Sequence, residues 1–177
     1  MKHSGKIALG GLLAALSLVC MLLTIFPFAD YALPALAGVL LIPIVLENGV
    51  KWGFMVYVVV GILNAILTPS LEAKVLFIAF FGYYPVLKAL LERIRFRALE
   101  WAAKLVIFNG TIVAAYWLML HVFALPADSL ELFGVQVPLI LLGLGNIVFV
   151  IYDVAMTSLI VLYQRMLRPK LLHIFRI

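Results

Sequence analysis

The chain has 177 residues, of which 67% are hydrophobic and 12% charged, with a formal net charge of +5 and a mean hydropathy of +1.23. Globular domains carry about a quarter charged residues, so a water-soluble fold of this size has no place for so much apolar surface. Helices crossing lipid satisfy their own backbone polar groups, so the composition predicts an all-α integral membrane protein and excludes a soluble enzyme, a receptor head or a nucleic-acid binder.

Six apolar stretches follow one another along the chain. The first, Ile7 to Pro27, comes after Lys2 and Lys6, as in a secretory signal, but it runs into Phe26, Pro27 and Phe28 with no small-residue cleavage pattern and reads as a retained helix. Cys20, the only cysteine, lies inside it and reads as a small core residue. The second stretch, Tyr31 to Leu46, is short and contains Pro34, Gly38 and Pro43; the third is Trp52 to Thr68 and the fourth Ala73 to Leu91. Gly82-Tyr-Tyr-Pro85 falls within the fourth, where a proline removes a helical hydrogen bond and predicts a kink. The fifth is Trp101 to Ala124 and the sixth Val137 to Tyr163.

A hydrocarbon core needs about twenty helical residues to cross, which leaves the second stretch as the doubtful one. Charge supports keeping it, because Lys and Arg gather on cytoplasmic loops. Six crossings from a cytoplasmic N-terminus put Lys2, Lys6, Lys51, Lys88, Arg93, Arg95, Arg97, Lys104, Arg165, Arg168, Lys170 and Arg176 inside and only Lys74 outside. Both termini are then cytoplasmic in a multi-pass protein of the cell membrane. The opposite face carries Asp30, Glu72, Asp128 and Glu131.

The connection from Lys88 to Lys104 holds Leu87, Leu91, Ile94, Ala98, Trp101 and Leu105 at helical spacing, with Lys88 and Glu92, and Glu100 and Lys104, as i,i+4 pairs. It predicts an amphipathic cytoplasmic elbow, either a docking surface for a partner or an interfacial anchor.

Polar residues inside lipid are costly and tend to face the bundle interior or a cavity. Asn146, Asp153, Thr157 and Gln164 share one face of the sixth helix; Gly110, Ala114, Trp117 and His121 share one face of the fifth; Tyr57, Gly61, Asn64 and Thr68 share one face of the third. All three faces are expected to point inward. In the assigned orientation Asn64, Trp117, His121 and Asn146 lie in the outer half, and with Tyr31 they are the expected substrate-binding residues; Asn109 and Asp153 are buried polar groups nearer the cytoplasm. Asp153 is the costliest residue to hold in lipid, and its expected partner is Asn109, Tyr83 or Tyr84. His3, His121 and His173 stand far apart in the chain, so no metal site is expected, and no cofactor.

The first helix reads Lys6-Ile-Ala-Leu-Gly-Gly-Leu-Leu-Ala-Ala-Leu16, in which Gly10 with Ala14 and Gly11 with Ala15 form small-xxx-small pairs; such pairs let a second helix approach closely in lipid. This motif, the chain length and the six crossings with both ends inside resemble the S components, the membrane subunits that bind substrate in energy-coupling factor vitamin transporters. The resemblance implies that Gly10, Gly11, Ala14 and Ala15 pack on a transmembrane coupling subunit driven by separate ATPases. The expected function is therefore capture of a vitamin-like small molecule for uptake, and an acidic exterior favours a neutral or cationic one. The chain carries no GxxxxGK[ST] loop of its own and no HExxH or GxSxG signature, so it is not expected to be an enzyme. Alternatives are a non-transporting scaffold of the rod-shape accessory type and a stand-alone proton-coupled transporter using Asp153.

Overall fold

A computed structural model describes residues 3–26, 29–121, 131–132 and 135–169. The helices are α1 (His3–Leu22), α2 (Ala32–Val39), α3 (Ile42–Asn48), α4 (Val50–Leu67), α5 (Leu71–Leu76), α6 (Tyr84–Leu91), α7 (Arg97–His121) and α8 (Val137–Leu162). Single turns extend three of them, a 3-10 turn at Leu23–Ile25 and π turns at Phe77–Phe81 and Tyr163–Leu167. A two-residue ladder precedes α8, with β1 (Glu131–Leu132) antiparallel to β2 (Val135–Gln136). The expected span ends at Pro27 and Ala124, and Lys2, Asp128, Lys170, His173 and Arg176, lie outside the described residues.

Among the described residues, five helices are long and apolar enough to cross a membrane: Ser4–Ile25, Val50–Leu67, Leu71–Leu91, Arg97–Ala115 and Leu142–Met166. Each buries less than half of its most apolar window inside the protein, as a helix facing lipid on its other side does. The doubtful second stretch is a shorter apolar segment, Ala32–Asn48, broken at Leu40 and Leu41 into α2 and α3. Its start lies beside the start of α5, where the Tyr31 hydroxyl reaches Glu72 at 3.4 Å. Its end lies beside the end of α8, where Glu47 accepts from Tyr163 at 3.4 Å and pairs with Arg168 at 2.9 Å. At Gly49 the chain turns into α4 with φ +87°, a backbone that favours glycine.

Two clusters form the core. One joins α1 through Leu9, Leu13 and Met21 to Ala37, Ile44 and Val60. The other is largely aromatic, with Phe80, Tyr84, Phe108 and Phe149 around Met156; Phe108 and Phe149 stack at 4.6 Å and 11°. Along α8 the inward stripe is Phe149, Asp153, Met156, Ile160 and Tyr163, alternating steps of four and three. That 3.5-residue period belongs to helices crossing at a small left-handed angle. It also carries Thr157 and Gln164 out of the core, where both are exposed, so the inward face expected for this helix holds only at its Asn146 and Asp153 turns.

Gly38 and Gly53 are among the described glycines with no room for a side chain. A Cβ on Gly38 would stand 2.2 Å from the Phe81 carbonyl oxygen, and one on Gly53 would stand 2.4 Å from a Val45 methyl.

Candidate functional site

At the end of the bundle where α6, α7 and α8 meet, five charged side chains form a closed arrangement. Asp153 Oδ1 accepts from Lys88 Nζ at 2.5 Å and from the Tyr84 hydroxyl at 2.5 Å, and its Oδ2 accepts from Lys104 Nζ at 3.1 Å. Glu92 closes the ring from the other side, 2.7 Å from Lys88 and 3.6 Å from Lys104, while Glu100 pairs with Lys104 at 2.7 Å. Lys88, Lys104 and Asp153 are all buried, and Lys104 also lies 5.2 Å over the Trp101 ring. Lys88 gives its third donor to the Asp153 backbone carbonyl at 3.3 Å. All three Lys88 protons thus have acceptors, Lys104 has two close ones with Glu92 a longer charge contact, and cations and carboxylates alternate, the arrangement a buried ion pair needs to offset desolvation.

Local sequence explains the convergence. Tyr84 and Lys88 are one turn apart on α6, and Glu92 follows one turn later. Lys104 opposes Asp153, Phe108 opposes Phe149 and Asn109 opposes Asn146, a single antiparallel register of α7 against α8. Tyr84 was among the expected partners of Asp153; the two lysines were not. Their i,i+4 pairs with Glu92 and Glu100 form as expected, but with the lysine end of each pair buried.

Asn109 and Asn146 exchange two amide bonds, at 3.0 and 2.9 Å, and each gives its remaining N–H to a carbonyl one turn back, Leu105 and Leu142. They stand at one depth, which corrects the expectation that Asn146 lies further out than Asn109.

Asn64 is wholly buried on α4. Its Oδ1 accepts from Thr68 at 3.1 Å, but its Nδ2 is a buried donor with no acceptor among the described residues. Asp30 Oδ1, just before α2, is likewise buried and unpaired. Tyr31 is exposed, with its hydroxyl on Glu72. Gly61, Asn64 and Thr68 all face inward, as the sequence predicts for this helix. The fifth-helix stripe is different: Gly110 and Ala114 are exposed and Trp117 is 57% exposed, because α7 turns Lys104, Phe108 and Ala115 to the core instead. The side chain of His121, the last residue of α7, lies outside the described set. The structure therefore pairs Asn146 with Asn109, Tyr31 with Glu72 and Asn64 with Thr68.

On α1 the two small-residue pairs separate. Gly10 is buried, with Val56 3.4 Å from where its Cβ would be, and Ala14 packs on the core. A Cβ on Gly11 would meet nothing within 4 Å among the described residues, and Ala15 is exposed.

No protein-family model, curated protein or solved structure matches this chain. The reading of function accordingly stands on the geometry of these residues.

Proposed function

We propose that this chain is the substrate-capture subunit of an uptake system, crossing the cell membrane six times with both termini in the cytoplasm and working with a transmembrane coupling subunit and ATPases. The observation that carries the reading is the Asn64 amide: a donor buried without an acceptor costs about 1–3 kcal/mol, and a ligand that offers a carbonyl or ring nitrogen relieves that cost on binding. The cost is tolerable in a site that waits for such a ligand. The buried Asn64 amide and the buried Oδ1 of Asp30 lie toward the Glu72 end, away from the lysines, which supports an extracellular entrance for a small neutral or cationic molecule.

Six crossings are supported by the two ends of Ala32–Asn48, tied to Glu72 on one side and to Arg168 on the other. About 25 Å of helix, at 1.5 Å per residue, is short for a bilayer about 30 Å thick, and packing against neighbours on both sides compensates. The coupling subunit is assigned to the exposed half of the α1 motif, Gly11 and Ala15. Asp153 has both oxygens occupied by the lysine ring, which favours a subunit powered by partners over a stand-alone proton-coupled carrier.

Native mass spectrometry of gently extracted protein tests the reading. It should recover a bound small molecule that is lost with Asn64→Leu, and a membrane partner that is lost with Gly11→Leu/Ala15→Leu. Recovery of the wild-type chain with neither would refute it.

A further inference from the structure

The elbow that runs from the end of α6 into the first turn of α7 contains two acids, Glu92 and Glu100, and three arginines, and the structure sorts them. Glu92 and Glu100 are both taken by the buried lysines Lys88 and Lys104. Arg93, Arg95 and Arg97 are exposed, and among the described residues none of them makes an ion pair. Three guanidinium groups within five residues are left with no protein counter-charge, although the sequence of the elbow looks nearly balanced. Between and beside them, Phe96 is 72% exposed and Leu99 58%. The segment joins two helices that are each long and apolar enough to cross a membrane, so it sits at the height of the lipid headgroups.

We propose that Arg93, Arg95 and Arg97 form a binding site for anionic phospholipid headgroups, with Phe96 and Leu99 inserted among the acyl chains beneath. A guanidinium fork matches the two free oxygens of a phosphodiester, which an ammonium cannot do with two parallel bonds. Exposed aromatic and aliphatic side chains interleaved with arginine are what an interfacial anchor needs, because the rings leave water while the charges stay at the surface. A soluble acidic protein would satisfy the charges, but it would leave Phe96 and Leu99 to find an apolar surface that the bilayer already provides. The ring has a part in this: Lys88 and Lys104 hold Glu92 and Glu100 in ion pairs, and among the described residues neither acid pairs with an arginine.

The site is tested by adding phosphatidylglycerol or phosphatidylcholine to detergent-solubilised wild-type protein and counting bound lipids by native mass spectrometry. Phosphatidylglycerol should be retained preferentially, and the triple variant Arg93→Gln/Arg95→Gln/Arg97→Gln should bind it on the order of tenfold or more weakly. The triple Arg→Lys variant should fall between the two, since it keeps the charge and loses the fork. Raising salt from about 0.1 M to about 1 M should release lipid from the wild-type protein, because the Debye length falls to about 3 Å; this arm stands even where a variant fails to fold. Equal retention of the two lipids by wild type, undiminished binding by the Gln variant, or capture of a soluble acidic protein by the arginines with no lipid preference would overturn the proposal.

Discussion

Removing one member of a buried charge ring does more harm than removing the ring. Asp153 is the acceptor shared by Lys88, Lys104 and Tyr84, so Asp153→Asn leaves two buried ammonium groups close together with Glu92 and Glu100 alone to balance them. Breaking a buried pair in this way costs about 3–5 kcal/mol. The expected outcome is a clear fall in the unfolding midpoint in detergent, with Tyr84→Phe costing less because it deletes one hydrogen bond and no charge. Adding Lys88→Met to Asp153→Asn should recover part of the loss, a non-additivity that a double-mutant cycle measures. Sequence reasoning placed Asp153 correctly as a group needing a partner and named Tyr84, yet it read Lys88 and Lys104 as surface charges. The reason is physical. A lysine near a helix end looks the same in sequence whether its flexible stem carries the ammonium out to water or inward to a carboxylate, and the deciding Asp153 lies 65 residues further along the chain than Lys88. The available signal was Tyr84 and Lys88 one turn apart, a donor pair on one helix face.

At the scale of helices, the fourth span is where sequence and packing meet most closely. Gly82-Tyr-Tyr-Pro85 predicts an irregularity, and the structure places a π turn at Phe77–Phe81 immediately before it. Pro85 has no N–H to give the Phe81 carbonyl, and that carbonyl occupies the space where Gly38 would carry a Cβ. The Ile78 carbonyl accepts instead from the Tyr57 hydroxyl at 2.7 Å, so the irregular turn is satisfied by α4. Two variants separate these contacts. Gly38→Ala has backbone as its obstacle and must push α2 away from the fourth span; overpacking of this kind costs about 1–3 kcal/mol, read as a lower thermal midpoint. Tyr57→Phe keeps the ring and loses only the bond to Ile78, a change of about 1 kcal/mol. Gly38 could be seen in sequence only as a break in a short apolar stretch. Its role depends on a carbonyl freed in another helix, and no pattern within residues 31–46 records that. The same limit explains the fifth helix: its small and aromatic stripe at Gly110, Ala114 and Trp117 has the right spacing for a buried face, but Phe108, stacked on Phe149, fixes which side of α7 turns inward.

For the whole molecule, hydropathy made most of the helices legible, and the second stretch carries the question of how the chain is threaded. If Ala32–Asn48 crosses, Lys51 and the Arg93–Arg97 elbow share one side of the membrane and Glu72 lies on the other; if it dips and returns, Lys51 and Glu72 exchange sides and the elbow moves with the end of the fourth span. The contacts argue for crossing, because a segment that returned to its starting face would not hold Tyr31 at Glu72 and Glu47 at Arg168, ends that the 21 residues of Leu71–Leu91 and the 25 of Leu142–Met166 keep apart. In a Cys20→Ser background, single cysteines at Glu72, Lys51 and Arg95 distinguish the two threadings with a membrane-impermeant thiol reagent applied to intact cells. Six crossings from a cytoplasmic N-terminus require labelling at position 72 alone, with positions 51 and 95 reached only after the membrane is opened. Labelling of position 95 from outside would invert the side on which the lysine ring and the arginines lie, and with it the entrance proposed for substrate near Asn64, while the ring geometry itself would stand.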